Sequence, residues 1–358
     1  MFRLMAFALA VSGLGLLGCS RPAPPDSELG GGSGPTKEVP ESAEDKAVAF
    51  VEKMGGKVTR DGKAPGKPVV KVDLGGTLVT DAGLKELAPL KSLTSLDLDV
   101  SQVTDRTLVV LREINLLHAL GSMRTADDKR PTKPEDVTEL SLSYTQVTDT
   151  GLKELAALKS LTTLHLVDTQ VTGAGLKELA ALTSLTTLDL SASQVTDAGL
   201  KELAPFTSLT SLNLSVTKVT DEGVKVLAPL KNLTDLHLRR TQVTGVGLKE
   251  LDLLKSLTTL DLSGTKVADE GVKELARFTK LTTLYLHFTR VTGAGMKELA
   301  PLTGLTKLSL DSTKLTDAGL KELAAVKSLT KLSLNSTEVT EAGLNELQKA
   351  LPKCKIEK

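Results

Sequence analysis

The chain has 358 residues, with 44 Lys+Arg balanced by 44 Asp+Glu for a formal net charge of +0. It therefore lacks the cationic excess with which a nucleic-acid binder displaces counterions. Only 2% of the residues are aromatic and none is Trp, which argues against a base-stacking platform. The two cysteines, Cys19 and Cys354, are too few for a disulfide framework.

Residues 1–18 read MFRLMAFALAVSGLGLLG: one early basic residue, Arg3, then a run of small and apolar side chains. The run is short and Gly-rich for a membrane span and reads as an export signal. It ends in Leu16-Leu17-Gly18-Cys19, which resembles the lipobox of bacterial lipoproteins. That resemblance implies diacylation of Cys19 and an extracytoplasmic, membrane-anchored location in the periplasm or at the cell surface. An uncleaved anchor, or an ordinary signal peptide containing Cys, is the alternative. Residues 19–40 are rich in Pro, Gly and Ser and read as a disordered tether. Residues 41–68 read as a cap on the domain that follows. Ser42-Ala43-Glu44-Asp45 is a helix-start box, Ala47, Val48, Phe50, Val51 and Met54 recur at helical spacing, Gly55-Gly56 stops the helix, and a strand is predicted around Lys57–Thr59.

From Val69 to the C-terminus a 24-residue period takes over, with copies starting at Val69, Leu93, Val137, Leu161, Leu185, Leu209, Leu233, Leu257, Leu281, Leu305 and Leu329. Within the copy at Leu161, the residues Leu161, Leu164 and Leu166 predict a strand with its apolar side facing a core. Thr169 is a buried turn hydroxyl. Thr172 is a helix N-cap, kept as Thr in every copy but the one with Ala268. An acidic residue such as Asp149 or Asp197 often follows the cap and suits the positive helix end. Gly175 is Gly in every copy except at Thr107, which points to close helix packing. Leu176 and Leu179 close the core. The pattern L-x-x-L-x-L-x-x-T-x-V-T-D-x-G-L-K-E-L-A resembles the leucine-rich-repeat family, and in particular long arrays of planctomycete-type bacteria. The resemblance implies an α/β leucine-rich-repeat solenoid, or horseshoe, of about eleven repeats, with one parallel concave sheet and short helices on the convex side. The repeat domain spans 69–358, with an insertion near 117–136 whose part from Met123 to Asp136 reads as a loop covering Val109-Val110. The tail Leu351–Ile356 reads as a truncated final strand.

Function is sought on the sheet side, because the helix side repeats Lys-Glu (Lys177-Glu178, Lys201-Glu202) and reads as a solvated face. Repeat positions 5, 7 and 8 point outward and carry large, varied side chains where other copies have Ser, Gly or Asp. The densest group is His237, Arg239, Arg240, Asp261, Tyr285, His287 and Phe288, with Ser263 and a small-sided Gly264 between the outer strands. A second patch holds Tyr144, His165, Asp168 and Asp189, next to Val167. Such Arg-aromatic clusters are typical of binding hot spots. His165 beside Asp189 and His237 beside Asp261 raise acid–base or metal chemistry, but the sequence has no H-E-x-x-H, C-x-x-C, nucleophile elbow or phosphate loop. No catalytic residue, cofactor or metal is expected. The expected function is a non-catalytic recognition or scaffold module that binds a protein partner at the cell envelope. The alternatives are a glycan-binding envelope lipoprotein and a structural envelope protein without a specific ligand. Membrane contact is expected through the lipid anchor only, and no nucleic-acid partner is expected.

Overall fold

A computed structural model describes residues 41–358. The export signal, Cys19 and the tether lie outside the described residues. Helix α1 (Ala43–Lys53) starts at a closed capping box: Ser42 Oγ accepts the Asp45 N–H (3.1 Å) and the Asp45 carboxylate accepts the Ser42 N–H (3.3 Å). It ends at Gly55, whose φ of 84° is left-handed. Ala47 and Val51 seat the helix on the core, and Glu44 pairs with Arg60 (2.7 Å). Strand β1 (Lys57–Arg60) lies antiparallel to β2 (Val69–Asp73), which is parallel to β3 (Ser95–Asp97).

Strands are three residues long at repeat positions 3–5 and pair in fixed register with the same positions of the next copy, as in Thr163–His165 against Thr187–Asp189. The copies starting from Val137 to Leu305 each bury seven apolar side chains, such as Leu161, Leu164, Leu166, Val171, Leu176, Leu179 and Leu182. Backbone pairing is reinforced by a threonine ladder at position 2, where Thr162 Oγ1 donates to the Thr138 carbonyl (3.0 Å) and Thr186 Oγ1 to that of Thr162 (3.1 Å). The buried hydroxyl at position 9 closes its own turn: Thr169 Oγ1 donates to the Leu166 carbonyl (2.8 Å). Nearly every residue at position 8 is left-handed although few are glycine. Tyr144, Asp168, Ala192, Val216, Arg240, Phe288, Ser312 and Ser336 have φ between 52° and 64°.

The helical segments come in two kinds. Where Asp follows the cap threonine, a short α-helix forms, as in Asp149–Leu152 and Asp221–Lys225. Where Gly follows, at Gly173, Gly245 and Gly293, its φ is positive (97°, 94°, 125°) and only 3₁₀ turns form. The position-15 glycine is dictated by the previous copy. A Cβ on Gly223 would sit 2.2 Å from Asp197 Oδ1, and one on Gly271 2.6 Å from the Thr244 carbonyl oxygen.

The expected single sheet is in fact two. A three-stranded sheet β1–β3 is separate from an eleven-stranded sheet running from β4 (Met123–Arg124) through β5 (Glu139–Ser141) to β14 (Lys355–Glu357). The reason is a truncated repeat. Leu117 lies 24 residues after Leu93, and Leu120 bridges Leu96 in the strand register. Leu116, Leu117, Ala119, Leu120 and Met123 are buried, so this stretch fills a strand slot of the stack. After Gly121 the copy fails. The chain turns back as β4, antiparallel to β5, and residues 125–136 run polar to the next full copy. Arg124 and Arg130 tie this excursion to the Gly121 carbonyl. Val110 is fully buried in the stack beside Leu111. His118, the one histidine away from the sheet face, is buried here, and desolvation lowers its pKa.

Candidate recognition surface

Strands β9 (Asp235–His237), β10 (Thr259–Asp261) and β11 (Thr283–Tyr285) bring the main candidates together. His237, Asp261 and Tyr285 share one register position on three neighbouring strands. Position 5 lies on the sheet face, and all three side chains are half-buried. Positions 7 and 8 lie on the turn beyond the strand. Arg239 and Arg240 are exposed there, and Phe288 is 65% exposed. The cluster is therefore L-shaped: a face of His, Asp and Tyr meets an edge of Arg and Phe.

Position 8 projects outward because its backbone is left-handed. The space that the small Gly264 leaves between the outer strands is narrowed, since Arg240 Cγ lies 3.0 Å from where a Gly264 Cβ would stand. The aromatic side is a chain of edge contacts, with Tyr285 and His287 centroids 6.3 Å apart at 83° and His287 and Phe288 5.8 Å apart at 74°. Edge-to-face packing of this kind holds rings in place.

Beneath the rings runs a polar network that the sequence reading did not find. Ser263, fully buried, donates from Oγ to the Asp261 carboxylate and lies 2.9 Å from His287 Nδ1. A hydroxyl that gives its proton to a carboxylate accepts from the imidazole, so His287 carries its proton on Nδ1. Ser309 Oγ is 3.3 Å from the same nitrogen and donates to Asp311 (2.7 Å), which also takes Ser333 Oγ (2.6 Å) and Asn335 Nδ2 (2.7 Å). The signal was present as Ser, Asp and Asn at positions 5 and 7, but their connection spans different copies.

His237 Nδ1 stands 3.9 Å from Asp261 Oδ2. That carboxylate raises the His237 pKa above its ordinary value against the opposing effect of burial. Burial pushes the Asp261 carboxyl up, but His237 and Ser263 outweigh it and the net shift is downward. The second patch is organised differently. His165 and Asp189 are register partners, yet the Asp189 carboxylate is taken by Ser191 (N–H, 2.9 Å) and Asn213 Nδ2 (3.2 Å). Tyr144 is 64% exposed on the turn at position 8, as is the exposed Asp168, while Val167 is half-buried.

Chemically the surface is suited to contact. In the Asp261–Ser263–His287 group the carboxylate sits on the hydroxyl and not on the imidazole, the reverse of what activates a serine nucleophile. Among the described residues no group of three or more His, Cys, Asp or Glu is placed to hold a metal. Cys354 is buried, and burial raises its thiol pKa.

Comparison with known proteins agrees with this geometry. A family model described as leucine-rich repeat matches residues 135–156, 157–180, 181–204, 207–228, 230–251, 254–276 and 303–324. The chain thus carries leucine-rich repeats, and its fold is a leucine-rich-repeat solenoid with a parallel sheet and short helices. The matches skip residues 277–302, the copy that bears Tyr285, His287 and Phe288. A leucine-rich-repeat protein of Leptospira interrogans is similar in structure at 26% identity and a TM-score of 0.57, over 76% of this chain and 74% of that one. An internalin (inlF) of Listeria monocytogenes shares the fold at 19% identity and a TM-score of 0.54, over 89% and 95%. Internalin C2 of the same bacterium is 30% identical over 56% of this chain and 82% of that one, at a TM-score of 0.48. No curated protein matches the chain.

Proposed function

We propose that the solenoid is a recognition module that binds a protein partner through the Arg239, Arg240, Tyr285, His287 and Phe288 surface. Leucine-rich-repeat proteins are typically protein-interaction modules, and the scaffold is in family terms a non-enzymatic one. The observation that carries the reading is the exposed Phe288, two copies along from the exposed Arg239 and Arg240, at turn positions that the adjoining copies fill with Ser215-Val216, Ser263-Gly264 and Asp311-Ser312. Nothing in the core requires a phenyl ring there, and exposed Arg-aromatic groups are the usual anchors of interfaces. The Leu16–Cys19 motif supports placing this module at the cell envelope on a lipid anchor. A second reading, a glycan ligand, is favoured by a cavity of about 210 Å³ beside Tyr285, lined also by Lys307, Ser309, Lys331 and Ser333.

The test is capture from envelope extract by the full chain and by an Arg240→Ala, Tyr285→Ala, Phe288→Ala variant. A protein held by the first and lost by the second supports the reading. Equal capture, or none, sinks it, and binding of polysaccharide that depends on Tyr285 and Lys307 would put the glycan reading in its place.

A further inference from the structure

The chain is neutral overall, but the turn edge beside the sheet is not. Positions 7 to 10 of the copies from Leu209 to Leu305 hold Lys218, Arg239, Arg240, Lys266, Arg290 and Lys314, all exposed. The copies from Val69 to Leu185 hold no Lys or Arg at those positions, and position 10 there reads Gln102, Gln146, Gln170 and Gln194 after Leu78. The one carboxylate among positions 7 to 10 of the basic copies, Asp311, is spent on Ser309, Ser333 and Asn335. The ion pairs of this half, from Lys225–Glu222 to Lys355–Glu357, take in none of these cations, which stand unpaired among the described residues.

Backbone stacking holds these charges in a row. The position-10 N–H of each copy donates to the position-11 carbonyl of the copy before, from Lys266 to Val243 (2.9 Å), Arg290 to Val267 (2.8 Å) and Lys314 to Val291 (3.2 Å). Successive copies are thus about one strand spacing, ~4.8 Å, apart. Like charges held at that spacing repel and stabilise nothing in the fold. The N-terminal copies show the neutral alternative, where Gln170 Nε2 donates to Gln146 Oε1 (2.8 Å). The helix side shows the ordinary solvated one, where Glu follows Lys within the copy, as at Lys177-Glu178. Position 8, on the other side of the buried position-9 hydroxyls, adds two exposed apolar side chains to the basic stretch, Val216 (50%) and Phe288 (65%).

We infer that the partner meets this ridge, from Lys218 to Lys314, with an acidic segment of its chain in which carboxylates are interspersed with apolar side chains. This rests on the protein-binding reading and supplies the partner's chemistry and its course along the turn edge. Carboxylates relieve the repulsion along the row, and the forked guanidinium of Arg239, Arg240 and Arg290 matches their two oxygens. Apolar side chains of the same segment cover Val216 and Phe288. A nucleic acid or a sulfated polysaccharide answers the charges but is anionic along its whole length. It brings nothing to match the two apolar side chains, and it runs off the ridge onto an edge that carries the exposed Asp168 and no cation.

The probe is a short fluorescein-labelled peptide that alternates Glu with Leu and Phe, followed by anisotropy against the full chain. Saturable binding that weakens with added salt is expected, and none for the same peptide with Gln in place of Glu. The variant Lys266→Glu, Arg290→Glu, changed only at exposed side chains, is expected to bind about tenfold more weakly. Lys177→Glu, Lys201→Glu on the helix side alters the net charge equally and is expected to leave the affinity within about twofold. No binding of the Glu peptide overturns the proposal, as does equal binding of the Gln peptide or an equal loss in the helix-side variant. Heparin that binds more tightly than the peptide and is indifferent to Phe288→Ser overturns it in favour of an anionic polysaccharide. In the envelope capture, a protein lost in the Arg240→Ala, Tyr285→Ala, Phe288→Ala variant but kept in Lys266→Glu, Arg290→Glu overturns the ridge and leaves the protein-binding reading standing.

Discussion

The carboxylate of Asp197 grips Thr220, 23 residues further on, by two bonds at once, from the backbone N–H (2.8 Å) and from Oγ1 (2.6 Å). The same clasp joins Asp105 to Thr148, Asp149 to Thr172, Asp269 to Thr292 and Asp317 to Thr340. It explains the lone exception at the cap. Ala268 follows a copy in which Gly245 replaces the aspartate, so a threonine there has no carboxylate to meet. Thr196 and Thr316, which follow Gly173 and Gly293, likewise make no side-chain cap bond. The expected outcome is that Asp197→Ala costs about 1–2 kcal/mol, while Ala268→Thr stays within about 0.5 kcal/mol of the parent. Urea denaturation of the two variants checks this, and equal effects would remove the clasp from the account.

The clasps also set the acid limit. Burial works to raise the Asp269 carboxyl, but its bonds from Thr292 and the following glycines prevail, and its pKa is lowered. Asp317 is lowered by Thr340. A carboxylate with a depressed folded-state pKa stabilises the fold above its unfolded value of about 3.9, and that contribution is lost as pH falls through the folded value. Stability is therefore expected to be flat near neutrality with respect to these groups and to fall only below about pH 4. A melting series that shows the decline already at pH 6 would assign it to other groups.

Much of the stack is legible in the sequence because leucines at positions 1, 4 and 6 announce strand and core without reference to any other copy. The clasp is not, since its partners belong to different copies and each looks locally like an ordinary helix cap. The left-handed turn at position 8 is hidden because no shared residue type marks it: Tyr144, Val216, Arg240 and Phe288 have only their backbone in common. For the candidate site the same limit applies. Tyr285 and Phe288 stand out as unusual, whereas the Ser263–His287–Ser309 network becomes visible only when three copies are laid side by side.

Val216 is the least comfortable of these turn residues, β-branched at φ 59° and 50% exposed. Left-handed backbone costs a non-glycine residue about 1 kcal/mol or more, and Asn tolerates it best after Gly. Val216→Asn is expected to raise stability by about 0.5–1 kcal/mol, measured as a shift of the denaturation midpoint. A loss of stability would mean that the valine side chain packs usefully where it stands.

The His237 pair gives a readout within the recognition surface. Because the folded-state pKa is raised, the stabilisation from Asp261 is fully present below the unfolded value of about 6.5 and is lost as pH rises through the folded value. An NMR titration of the ring protons is expected to place the His237 midpoint above that of an unperturbed histidine and to bring it down in Asp261→Asn. A midpoint that ignores this substitution would show that the 3.9 Å approach carries no electrostatic weight.

From β5 to β14 each strand is sewn to its parallel neighbours at three registered positions, whereas β3 and the truncated copy share one isolated bridge, Leu96 to Leu120. A linear array whose stability is a sum of neighbour couplings comes apart first at its weakest coupling. The seam at residues 97–120 therefore divides the array into two cooperative units of unequal size, a short N-terminal one capped by α1 and a long C-terminal one carrying the Arg-aromatic surface. Native-state hydrogen exchange is expected to show the amides of β2 and β3 opening together at lower free energy than those of β6 (Thr163–His165) to β12 (Lys307–Ser309), and one shared opening energy would merge the two. A partner that reaches from the long unit across the seam would act as a splint, lending the short unit the persistence its own backbone joint withholds.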